Sequence, residues 1–96
     1  MNKDTIVQKL IDMLNELQKR SGENPQEITA DTRPIGGVSG FSSLSGVAFT
    51  VDCIYQFEIP DDEKLQSIVV GQGKEGMFAR TVEQIAEEIV ERRSKK

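Results

Sequence analysis

Gly40-Phe41-Ser42-Ser43-Leu44 opens the stretch on which the reading of this 96-residue chain turns. An apolar-patterned run over residues 45–57 follows, and Glu58-Ile59-Pro60-Asp61-Asp62-Glu63 closes it. Leu44, Val47, Ala48, Val51, Ile54 and Tyr55 recur at helical spacing, which predicts a helix over about residues 43–57. A serine at its start can cap first-turn N–H groups, and the same positive helix end favours a phosphate on the hydroxyl. Phe49 and Cys53 widen the stripe, so more of this helix is apolar than one packing face needs. The spacing puts Val51 at the centre of the inward face and Phe49 at its margin.

Upstream, Ile6, Val7, Leu10, Ile11, Leu14 and Leu17 form the apolar face of a helix over about residues 4–20. Thr5-Ile6-Val7-Gln8 fits a capping box, Lys19 and Arg20 suit the negative end of the dipole, and Ser21-Gly22 ahead of Pro25 ends the helix. The long loop 21–42 contains Pro25, Pro34, Gly36, Gly37 and Gly40, yet Ile28, Ile35, Val38 and Phe41 give it apolar anchors that predict a packed course. Pro60 with Asp61, Asp62 and Glu63 reads as the acidic start of a short third helix. The last helix, about residues 81–93, has Val82, Ile85, Ala86, Ile89 and Val90 as its apolar face and Thr81-Val82-Glu83-Gln84 as a capping box. The expected fold is therefore all-α: one domain over 1–96, a four-helix bundle of three main helices and a short third one, with a long loop between the first two.

Composition narrows the chemistry. With 36% hydrophobic residues and no Trp, the core is about what three or four short helices can build. The absence of His and the single Cys53 exclude Ser-His-Asp and Cys-His catalysis, the usual four-ligand zinc sites and an intramolecular disulfide. Most ordinary enzyme chemistries are removed with them, and no metal site is expected. Four of the twelve basic residues lie in the tail 92–96, so the other 91 residues carry eight basic against sixteen acidic side chains, a net −8 beneath the overall −4. That body repels nucleic acid and favours basic protein surfaces, and the tail reads as a solvated helix end. No apolar run approaches membrane-spanning length, and Met1-Asn2-Lys3-Asp4 lacks the features of a signal peptide. A cytoplasmic monomer without membrane insertion is expected.

Gly71-Gln72-Gly73-Lys74-Glu75-Gly76 matches the G-x-G-x-x-G pattern of dinucleotide sites and follows Ile68-Val69-Val70. The match lacks the strand-helix-strand context and the acidic residue on a second strand that the fingerprint requires. The three glycines are read instead as a mobile loop.

Gly40, Ser43-Leu44, Phe57 and Ile59-Pro60-Asp61 together resemble the acyl carrier protein family. In that family Gly-x-Asp-Ser-Leu opens the second helix, the serine bears a 4'-phosphopantetheine arm, and a Phe falls fourteen residues later, shortly before Ile-Pro-Asp. Ser43 and Phe57 keep that spacing, with Val47 and Val51 at offsets four and eight. Ile28-Thr29-Ala30-Asp31-Thr32 and the Thr81-Val82 opening of the last helix are similar to the family's linker and final helix. The resemblance implies a non-catalytic carrier that holds acyl groups as thioesters on the arm at Ser43, for fatty-acid, polyketide or specialised lipid biosynthesis. Its implied partners are a phosphopantetheinyl transferase, acyl-transferring and chain-modifying enzymes, and the acyl chain itself. Leu44, Val47, Phe49, Val51, Cys53 and Ile54 are then candidates for partner contact or for lining an acyl cavity. For Phe49 and Cys53, completing the core is the plainer use.

Three features depart from the family pattern. Ser42 stands where Asp is usual, which removes a charge that assists the modifying enzyme. Between Ser43 and Phe57 only Asp52 is acidic, while Ala48 and Thr50 occupy positions where a charged rim is expected. Residues 66–80 form an insertion before the last helix. These departures keep open a second reading, an unmodified carrier-like helical interaction module that docks through its second helix.

Overall fold

The computed structural model describes residues 2–22, 24–38, 40–59 and 67–94. Three α-helices carry the domain: α1 (Lys3–Ser21), α3 (Ser43–Gln56) and α4 (Val82–Ser94). A single turn, α2 (Pro34–Gly37), interrupts the first long loop, and two strands, β1 (Val70–Gly73) and β2 (Gly76–Ala79), precede α4. The domain is mostly helical, with a small two-stranded sheet that a purely α reading did not foresee. The short helix expected at Pro60-Asp61-Asp62-Glu63 lies outside the described residues.

Residues 6, 10 and 14 follow one another along a single helical stripe, which is why Ile6, Leu10 and Leu14 are buried together on α1. They join Val82, Ile85, Ala86 and Ile89 of α4, and Phe49, Cys53 and Phe57 of the α3 segment, in one core. Ile28, Val38, Ile59, Ile68 and Val69 complete it from the connections. Lys3 ties the first turns of α1 and α4 together through Glu83 at 2.9 Å and Glu87 at 3.6 Å, both ion pairs exposed.

Helix ends follow from the local chemistry, with one correction. Asn2 caps α1 by accepting from Thr5 N at 2.9 Å, so Thr5 lies within the helix and does not begin a capping box. Gly22, with φ 72, ends α1 in the left-handed conformation that glycine adopts without a Cβ penalty. At α4 the box is present: Gln84 N donates to Thr81 Oγ1 at 3.1 Å, and Thr81 N to Gln84 Oε1 at 2.9 Å. Val82 N and Glu83 N donate to Thr32 O and Ala30 O of the loop, and Ile85 N to Thr81 O. Every first-turn donor of α4 is thus taken inside the protein. The α3 end closes through Ile59 N to Ile54 O at 3.1 Å, with Glu58 at φ 51. This is the six-to-one bond of a Schellman motif, held here by a residue that is not glycine.

The loop after α1 is packed through buried Ile28 and Val38 and half-buried Phe41, whereas Ile35, also expected as an anchor, is exposed. Buried Gln18 clamps it in both directions, donating through Nε2 to Gln26 O at 3.0 Å and accepting from Gln26 N at Oε1, 2.9 Å. Within α2, Ile35 (φ −73, ψ 114) and Gly36 (φ 89, ψ −15) have the dihedrals of a type II turn, which needs glycine at its second central position.

Residues 70–79 are a hairpin, which corrects the reading of their glycines as a loop. Val70 pairs with Ala79, Gly71 with Phe78, Gln72 with Met77 and Gly73 with Gly76. A Cβ on Gly71 would sit 2.5 Å from Cζ of Phe78, so the ring lies over the bare glycine and replaces the side chain it lacks. Arg33 Nε donates to Ala79 O at 3.2 Å from the α1–α3 loop. Arg80 N extends the ladder to Val69 O, and its guanidinium reaches Glu88 of α4 at 3.5 Å. Glu88 also receives Arg92 Nε at 2.9 Å, so Arg92 belongs to a half-buried ion network and not to a solvated tail.

The largest correction concerns α3. Its inward face is Gly46, Phe49, Thr50, Cys53 and, just past the helix, Phe57, with Phe49 only 2% exposed. Leu44, Val47, Ala48, Val51 and Tyr55, expected inside, are on the opposite, exposed face. Apolar content could not choose between two such faces. Small Gly46 and hydroxyl-bearing Thr50 mark the true one, because Val69 packs on the first and Ile68 N donates to the second at 2.9 Å.

Two expectations follow. Phe49→Ala should lose about 3–5 kcal/mol in chemical denaturation, as buried aromatic truncations do, whereas Val51→Asp should lose less than about 1 kcal/mol. Glu58→Gly should gain about 0.5–1 kcal/mol by relieving the positive φ, measured as a shift of denaturation midpoint at constant slope.

Candidate functional site at the start of helix α3

The approach to α3 is built so that the chain can turn only one way. Gly40 has φ 76, and a Cβ there would lie 2.7 Å from Cβ of Ser21 at the end of α1, so this position is closed to any side chain. Phe41 N donates to Val38 O at 3.2 Å, and the Phe41 ring meets Phe49 edge-on at 6.0 Å and 74°. These contacts deliver Ser42 in extended conformation (φ −122, ψ 179) as the N-cap, its Oγ accepting from Ser45 N at 3.3 Å. Ser43 takes the first helical position. Gly46 N donates to Ser42 O at 3.0 Å, while Leu44 N has no partner among the described residues. The α3 end therefore keeps donor capacity that the α4 end has spent within the fold.

The candidate residues fall into two groups on opposite sides of α3. Leu44, 80% exposed, stands beside Ser43, and Val47 and Val51 continue the outer face. Tyr55, 79% exposed, extends it one turn beyond the residues singled out in the sequence. Leu44, Val47, Ala48, Val51 and Tyr55 form a stripe with no charge on it, bordered by exposed Asp52. Phe49 and Cys53 are in the core, and Ile54 is half-buried against it.

Thr50 is not part of a rim. It is fully buried, donates to Gly46 O at 2.7 Å and accepts from Ile68 N, and so joins α3 to the segment leading into β1. Gly46 and Thr50 are the residues that sequence reasoning missed. The available signal was a glycine and a threonine four residues apart in an otherwise apolar helix, a spacing that places both on one face.

Burial pushes the Cys53 thiol well above the usual range; Asp52 adds to the shift and Arg92 opposes it. A thiol so held stays protonated and has little nucleophilic character. An open depression of about 460 Å³ lies between residues 26–27, 32–33 and 35–37 of the first loop, and no residue of α3 lines it. Among the described residues, no three Cys, Asp or Glu side chains are grouped to hold a metal ion, and no helix is long and apolar enough to cross a membrane.

No family model, curated protein or solved structure matches this chain. Function is therefore read from the start of α3, at Ser42 and Ser43, and from the two faces of that helix.

Gly40→Ala should destabilise the domain by at least about 1 kcal/mol from the left-handed backbone alone, and Ser42→Ala by about 1 kcal/mol through loss of the cap. Both are read from urea denaturation midpoints. Iodoacetamide at pH 8 should leave Cys53 unlabelled in the folded protein and label it fully in guanidinium, with intact mass as the readout.

Proposed function

We propose that the protein is an acyl-carrier-like carrier with a 4'-phosphopantetheine arm esterified to Ser43. The observation that carries this reading is the placement of Ser43 as the first residue of α3, directly after a capping serine, at a helix end that retains donor capacity. Burial of Phe57, fourteen residues on, and exposure of Leu44 beside the serine are further support. When attached, the arm would supply a terminal thiol on which acyl groups are held as thioesters.

The residues present fit such a group. Ser42 takes the capping role that an Asp would otherwise fill, which leaves the next hydroxyl for esterification. The helix end favours a phosphodiester through its dipole and its remaining N–H groups. Gly40, locked against Ser21, holds the first turn in place, so this part of the carrier is preformed. The chain performs no catalytic step in this reading. Its contribution is to tether a cargo and thereby raise the cargo's local concentration for a phosphopantetheinyl transferase and successive acyl-handling enzymes.

The uncharged outer stripe of α3 also suits a second reading, a carrier-like interaction module that is never modified and docks through Leu44, Val47, Val51 and Tyr55. One experiment separates the two. Apo protein incubated with coenzyme A and a promiscuous phosphopantetheinyl transferase should gain the mass of one phosphopantetheine group, Ser42→Ala should still gain it, and Ser43→Ala should not. Modification that persists in Ser43→Ala, or a folded wild type that no transferase modifies, rejects the carrier assignment and favours the docking module.

A further inference from the structure

We infer that the cargo carried at Ser43 is a short or polar acyl group and not a long hydrocarbon chain, because the inner face of α3 is closed by a locked segment. This inference rests on the carrier reading. Among the described residues, the apolar surface that a long chain could follow from the start of α3 into the domain is the inner face of that helix, over Gly46, Phe49, Thr50 and Cys53. Ile68 and Val69 occupy that surface, and both are fully buried. Val69 Cγ2 would lie 3.0 Å from a Cβ on residue 46, so the approach is as close as a glycine there permits.

Backbone hydrogen bonds hold this segment, and rotation of side chains does not release it. Ile68 N donates to the buried Thr50 Oγ1 at 2.9 Å. On the hairpin side Arg80 N donates to Val69 O at 2.9 Å, and Arg80 Nη1 to Ile68 O at 3.3 Å. Arg80 is itself held by Glu88 of α4. Displacing the segment would break three hydrogen bonds, at Ile68 N, Val69 O and Ile68 O, and remove two aliphatic side chains from the core, which are costs that a chain entering the same space must first overcome. The outer stripe is open to solvent along its length and offers a hydrocarbon only partial cover. A short or polar group needs no such shelter, since it exposes little apolar surface to water.

The test uses an attachment that no transferase has to make. The Ser43→Cys variant is labelled with iodoacetamides that end in an acetyl or a decanoyl group on a spacer of pantetheine length; buried Cys53 does not compete. The two conjugates are compared by methyl NMR spectra and thermal melting. Methyl positions of Ile68, Val69 and Ile85 should coincide in the two conjugates, and their melting midpoints should agree within about 1 °C. Changes confined to Leu44, Val47 and Val51 would also support the inference, because they place the chain outside. Decanoyl-specific changes at Ile68 and Val69 with a midpoint raised by more than about 4 °C would overturn it. A buried decanoyl group would leave the carrier reading intact, whereas failure of enzymatic modification of wild type would remove the carrier reading and this inference with it.

Discussion

The hydrogen bond from Ile68 N to Thr50 Oγ1 fixes how α3 is rotated, and the arrangement of the site depends on that rotation. A buried backbone donor without a partner is costly, so the segment before β1 can dock on α3 only where a hydroxyl meets it. Thr50 provides the hydroxyl, and Gly46 one turn earlier provides the room for Val69. Once these two residues face inward, Phe49, Cys53 and Phe57 follow them into the core by helical geometry. Leu44, Val47, Val51 and Tyr55 are then turned outward, although their side chains are just as apolar.

This explains what was legible in the sequence and what was not. α1 and α4 were readable because each has one apolar stripe and a charged remainder, and their observed limits fall within a residue or so of those read from periodicity. α3 was readable as an element but not in its orientation, because apolar residues surround most of it and the deciding residues, Gly46 and Thr50, do not count as hydrophobic. The hairpin was missed for a related reason. Gly71 is disfavoured in an isolated strand, and only the Phe78 ring across the pair makes it fit. That a serine caps α3 was legible, since a serine at the start of a helical pattern carries its own physical reason.

The two helix N-termini differ in a way that bears on function. At α4, the loop carbonyls of Ala30 and Thr32, together with the Thr81–Gln84 box, satisfy the first turn completely, and this binds the α1–α3 loop to α4. Gln18 pins the same loop further back, at Gln26. The long connection is consequently a structural element that aligns Gly40 and Ser42, and the start of α3 is held from both sides while its own first turn stays less fully occupied.

The contact between Arg33 and Ala79 has a bearing on the open edge of the hairpin. Ala79 faces Val70 in the ladder, but Arg80 N and Val69 O form the adjacent bond, so the carbonyl of Ala79 is directed to the outer edge of β2. Residues 76–79 carry no charged or proline residue to discourage pairing with a foreign strand, and Met77 is exposed. Arg33 occupies one of the acceptors that such a strand would use and places a cation alongside it. A residue from a distant loop thereby takes up part of the hydrogen-bonding capacity of the sheet edge and places a cation there, a feature that the β2 sequence does not contain.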